Sequence, residues 1–208
     1  MRNRLPRILT LIVAWGMCTH VFTSAQTTYN IYYGDIHSHS WYSDGNQDQN
    51  QTTYTKPVAR AITYARDNAN DMDFLGISDH NHNESLNMTL GYWSAGNQEA
   101  DSVNQDGVFV GLRGQEWGVI NNGGHVLIYG TDKLFGWNPG VYDVYVVKSD
   151  YVMLFDSVKK YGGFCYLAHP NQTDFDGIFS NPYNANWDSV VSGVAMKNGP
   201  ATSTTTRT

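Results

Sequence analysis

Apolar positions along the chain fall in short runs, and their spacing predicts strands alternating with helices. "NIYYGDIH" (residues 30–37) reads as a first strand, "MDFLGISDH" (72–80) as a second, and "GVFVGLRGQEW" (107–117) and "GHVLIYG" (124–130) as a third and fourth. "GFCYLAHP" (163–170) adds a fifth, and "SVVSGVAM" (189–196) begins another. Between them lie three helix-like stretches: "YTKPVARAITYARDNAN" (54–70), the more polar "YWSAGNQEADSVNQ" (92–105) and the amphipathic "SDYVMLFDSVKKYG" (149–162). Strands alternating with helices of this length predict right-handed βα units, an α/β fold and a mainly parallel sheet. A chain of 208 residues suits one domain with a substantial core. It carries no internal repeat, and its tail "ATSTTTRT" is polar and of low complexity.

The first 25 residues do not belong to that pattern. Arg2, Arg4 and Arg7 precede the apolar run "ILTLIVAWGM", and the small residues of "FTSAQ" follow, with a cut expected after Ala25. This is the layout of a secretory signal peptide, and the run is too short for a membrane span. The expectation is export to a periplasmic or secreted location, with residues 26–208 as the mature domain. Removing three of the 13 basic residues and no acid leaves 10 against 19, a net charge of −9. Such a surface argues against nonspecific binding to nucleic acid or anionic lipid, and an anionic substrate would need a local positive centre. Cys18 leaves with the signal, so Cys165 has no internal partner and reads as a small buried hydrophobe.

The mature histidines are His37, His39, His80, His82, His125 and His169. His37 and His39 end the first strand, His80 the second and His169 the fifth, while Glu116 closes the third. Carboxyl ends of parallel strands converge on one face, where active sites are built. Residues two apart on a strand share a side, so His37 and His39 are expected to serve one centre. His125 opens its run, which a ligand on a loop before a strand would explain. Imidazoles with Glu116, Asp44 and Asp79 form a ligand set for Zn, Mn or Fe larger than one tetrahedral site needs, and predict a cluster of two or three divalent ions. His82, in the polar loop "NHNES", stays outside the set, and Arg113 is expected to cap an element with a surface partner. Trp41 and Tyr42 read as core or pocket wall. The N-x-S/T sequons at Asn50, Asn83, Asn87 and Asn171 matter only if the host glycosylates.

In that order, "DIHSHSWYSDG", "DFLGISDHN", "GQEWG", "GGHVLIYG" and "YLAHP" resemble the polymerase and histidinol phosphatase (PHP) superfamily of metal-dependent phosphoesterases, over residues 31–200. The resemblance implies a distorted (β/α)7 TIM-like barrel with a di- or trinuclear site of Zn, Mn, Fe or Mg. It implies that His37 and His39 bind a first metal, that Glu116 bridges it to a second also held by His125 and His169, and that Asp44 and His80 hold a third. Glu116, Asp79 and His169 are the residues expected to serve the reaction, Asp79 as an orienting acid. That reaction would be hydrolysis of a phosphomonoester or phosphodiester by a metal-bound hydroxide, on a small or polymeric phosphate ester. The superfamily pattern ends with a D-x-H pair, whereas Asp174, Asp176 and Asp188 here are followed by no histidine, so the last strand and two ligands are expected to be missing. An amidohydrolase-like metal hydrolase and a non-catalytic secreted metal-binding module stay open as alternatives.

Overall fold

The computed structural model describes residues 29–45, 55–68, 71–81, 88–119, 123–170 and 174–195. The expected signal peptide, His82, the four sequons and the terminal tail lie outside these residues. By internal contacts the chain divides into Met1–Ile31 and Tyr32–Thr208, and every described element belongs to the second unit.

The strands are β1 (Gly34–Ser38), β2 (Phe74–His80), β3 (Val110–Val119), β4 (Gly124–Tyr129), β5 (Phe135–Gly136), β6 (Val144–Tyr145), β7 (Phe164–Ala168) and β8 (Val191–Val194). The helices are α1 (Pro57–Asn68), α2 (Leu90–Val103), α3 (Tyr151–Lys160) and the single turn α4 (Ala185–Asp188). Each long helix follows from its sequence. In α3 the buried residues Tyr151, Leu154, Phe155 and Val158 repeat at the helical period. Asp150 caps its start by accepting from Met153 N at 2.8 Å, and Lys159 and Lys160 complement the dipole at its end. Thr89 caps α2 in the same way through Tyr92 N.

Six strands form one sheet in the order β1-β2-β3-β4-β7-β8, and β5 pairs with β6 separately. β1, β2 and β3 run parallel, as do β7 and β8, but β4 is antiparallel to both β3 and β7. The sheet is thus mainly parallel, as the pattern predicts, with β4 as its one antiparallel strand among the described residues. The physical origin of that reversal is the short link from β3 to β4, which is too short for a crossover and forces a hairpin. The small β5–β6 sheet falls in a segment that carries no periodic signal.

Alternation along β4 separates two cores. Val126 and Ile128 join Trp117, Leu154, Phe155 and Cys165 on one face, while Leu127 and Tyr129 join Ala168, Ile36 and Leu112 on the other. Val58 and Ile62 of α1 and Trp93 of α2 pack with Ile77 and Phe109 in a further cluster. The sheet curls strongly, and Tyr129 measures the curl: its hydroxyl donates to Ile36 O, three strands away in β1. On a flat sheet that span would be about 14 Å, too far for one side chain. The ring lies across β2 and β3 where both present glycine. A Cβ at Gly76 would stand 2.6 Å from the Tyr129 hydroxyl, and one at Gly114 would stand 2.6 Å from its Cδ1. Beyond Tyr129, at the strand ends opposite the histidines, the inner face opens into a trough of about 570 Å³ lined by Ile36, Phe74, Val110, Leu112, Phe164 and Tyr166 among others.

Candidate metal centre

Glu116 is the hub of the site. It sits near the end of β3, beside His80 of β2 in the strand register, and its side chain is 1 % exposed. Its Oε2 lies 3.0 Å from His37 Nε2, 2.7 Å from His39 Nε2 and 3.4 Å from His80 Nδ1. Its Oε1 lies 2.6 Å from His125 Nδ1 and 3.0 Å from His169 Nε2. Five imidazoles thus surround one buried carboxylate.

The topology explains why they meet. His80 ends β2 and His169 follows β7, so both reach the same edge as Glu116. His125 begins its strand, but because β4 runs the other way its start lies level with Gly118 of β3 and Ala168 of β7. A hairpin strand, rather than a loop before a parallel one, brings it in. His169 takes a left-handed backbone (φ 28°) directly before Pro170, a conformation that costs energy in a non-glycine residue.

Among the described residues two groups of donor atoms could hold a metal ion: His37, Glu116 and His169 in one, His39, His80 and Glu116 in the other, with the atoms of each group within 4.8 Å of one another. Glu116 belongs to both. His37 and His39 fall into different groups, although their spacing suggested a shared one. The cause is local: the β1 register shifts between Asp35 and Ser38, the strand ends at Ser38, and His39 stands beyond it. Asp44 lies outside both groups. Its Oδ1 is 2.6 Å from His39 Nδ1 and its Oδ2 is 3.6 Å from His80 Nε2. His125 also lies outside them, against Glu116 Oε1.

The electrostatics follow from this packing. Burial alone would raise the Glu116 carboxyl, but hydrogen bonds from His125, His169 and His37 and the close approach of His39 hold it far below the usual carboxylate range. Burial likewise opposes a charged His39, yet Glu116 and then Asp44 outweigh it and lift the imidazole from 6.5 to about 9. Burial lowers His80, and the charge of His39 adds to that effect, against the opposing pull of Glu116. Burial raises the Asp44 carboxyl, but His39 and then His80 bring it below its ordinary value. The His39 Nε2 is buried at 2.7 Å from Glu116 Oε2 without the alignment of a hydrogen bond. With Nδ1 directed at Asp44, a neutral His39 turns the lone pair of Nε2 toward a carboxylate. Protonation of His39, which its raised pKa favours, relieves that repulsion, and so does a cation bound by the neutral ring.

Asp79 stands apart from the cluster. It is fully buried and accepts from Ser40 N (2.5 Å), Ser40 Oγ (2.7 Å), Ser43 Oγ (2.8 Å) and Arg113 Nη1 (2.6 Å). Arg113 is not a cap with a surface partner: it is buried in that ion pair and packs over the Trp93 ring, 5.0 Å from its centroid. Tyr42 is core, donating to Glu99 Oε1 at 2.6 Å, and Glu99 also accepts from Val58 N and Ala59 N at the start of α1. Pattern reading misplaces Arg113 at the surface and passes over Glu99 because a charged residue in a strand or helix carries no local sign of burial. The one available signal was an arginine following the apolar start of a strand.

No protein-family model matches the chain, and no curated protein matches it. Among solved structures, a two-domain protein from Bacteroides vulgatus containing a predicted PHP-like metal-dependent phosphoesterase is similar at 17 % identity and a TM-score of 0.46. The alignment covers 78 % of this chain and 43 % of that one, so this chain spans under half the length of that protein.

Proposed function

We propose that the chain is a metal-dependent hydrolase of phosphate esters, with two or three divalent ions, Zn, Mn, Fe or Mg, at the Glu116 hub. The observation that carries this reading is one buried carboxylate ringed by five histidines, with His39 Nε2 facing it at 2.7 Å outside hydrogen-bond geometry. The residues fit a metal: imidazole and carboxylate are its natural donors, and a cation would resolve the His39–Glu116 repulsion. His37, His39, His80, His169 and Glu116 would hold the ions, with His125 and Asp44 adjoining. Divalent cations there supply positive charge for phosphate oxygens and lower the pKa of water.

The protein's own contributions are positional. Asp44 accepts from His39 Nδ1 and so fixes the tautomer that leaves Nε2 as a donor atom. Glu116 is held ionised by the imidazoles and is common to both donor groups, which favours neighbouring ions over isolated ones. The net negative charge elsewhere leaves this centre as the natural attraction for an anionic substrate. The curled sheet is read as part of a (β/α)7 barrel, and the expected export rests on the basic and apolar pattern of residues 1–25.

Elemental analysis of the purified chain, with model phosphomonoesters and diesters assayed in Mn²⁺ or Zn²⁺, tests the reading. Stoichiometric metal is expected, with hydrolysis falling by about a hundredfold or more in Glu116→Gln and His37→Ala, the scale for loss of a positioned catalytic group. Absence of bound metal, or full activity in both variants, overturns it.

A further inference from the structure

The two donor groups share Glu116 and differ in one support. His37, Glu116 and His169 stand on or directly after strands of the main sheet, and so do His39, His80 and Glu116. His39 alone runs into the turn Ser40–Asp44, whose Asp44 pairs with its Nδ1, and that turn closes on Ser40 O through Ser43 N (3.1 Å) and Gly45 N (3.0 Å). This turn is tied to the body by Asp79, which takes three of its hydrogen bonds from Ser40 and Ser43. Arg113 supplies the fourth and is the cation facing Asp79.

Arg113 is tightly enclosed. Its side chain is 3 % exposed, Nη1 also donates to Ile77 O at 3.3 Å, and a Cβ at Gly96 would stand 2.6 Å from Nε. A buried ion pair is a weak stabiliser, because desolvating two charges offsets their attraction. Its effect here is geometric: with the guanidinium in place, the carboxylate directs its remaining lone pairs at the turn. Without it, a charge stays in the core with no cation, and the turn must shift or water must enter.

We propose that Arg113 is a positioning residue which, through Asp79, sets the Ser40–Asp44 turn and so governs the His39–His80–Glu116 group while leaving the His37–Glu116–His169 group intact. The inference rests on the metal reading above and adds that the two groups can be uncoupled from outside the site. It makes the β3 strand double-sided: Glu116 serves both groups directly from one face, and Arg113 serves one of them remotely from the other.

Calorimetric zinc titration of the full, metal-free chain tests this, with thermal melting followed by circular dichroism alongside. The wild type is expected to show two zinc-binding steps. Arg113→Met is expected to weaken one step at least tenfold and to change the other less than twofold. Ser43→Ala removes the 2.8 Å bond to Asp79 and a longer 3.4 Å contact with Asp44 but keeps the ion pair, so it reports the same selective loss, in smaller degree, even if Arg113→Met fails to fold. Arg113→Lys keeps a cation against Asp79 and is expected to recover most of the lost affinity. If both steps weaken together, or neither moves in Ser43→Ala, the proposal falls while the metal reading stands. A wild type with fewer than two steps overturns the two-group centre and the proposal with it.

Discussion

His39 is the residue at which the site's chemistry is most exposed to measurement. Its folded-state pKa of about 9 lies above the ordinary 6.5, so its contribution to stability is complete below pH 6.5 and is lost as pH rises through about 9. The metal-free protein is therefore expected to lose stability across that interval, and zinc affinity to rise across it, because binding displaces the His39 proton. Denaturant titrations of wild type and His39→Asn at pH 6 to 10 check this: the pH-dependent difference between the two should disappear above pH 9, and a constant difference would refute the assignment. At this scale the sequence was most legible for residues that end strands. His37, His80, His169 and Glu116 could be found from their places after apolar runs, and the structure brings them together. Arg113 could not, because its partner Asp79 is 34 positions away and nothing local distinguishes a buried guanidinium from a surface one.

Among the elements, β4 teaches most about what periodicity conveys. The run "GHVLIYG" was recognisable as a strand, but alternation of apolar residues carries no direction, and the direction of β4 decides where His125 lies. The short link from β3 was the usable sign. The same strand carries Tyr129, whose ring lies in the channel left by Gly76 and Gly114. Gly114→Ala puts a methyl group against that ring and is expected to cost about 1–3 kcal/mol, the range for overpacking a filled site. Tyr129→Phe loses only the hydroxyl bond to Ile36 O and is expected to cost about 1 kcal/mol, mostly through the carbonyl left behind. Chemical denaturation of the two variants checks the order, and an unaltered midpoint in Gly114→Ala would mean that the ring does not lie there.

For the molecule as a whole, the trough on the inner face of the sheet governs how the folded protein will look to a common laboratory reporter. Val110 and Phe164, on its wall, are 41 % and 37 % exposed. Environment-sensitive dyes such as anilinonaphthalene sulfonate become bright in apolar surroundings of this kind, which in most proteins are available only after partial unfolding. Here the native state is expected to enhance the dye's fluorescence, and Leu112→Asp, placed in the trough wall, to reduce that signal severalfold. A dark native protein would show that the trough is filled or closed. Thermal-shift assays with such dyes would then start from a high baseline and report release of dye on melting rather than capture, so metal-induced stabilisation would register as a later fall in signal rather than a later rise.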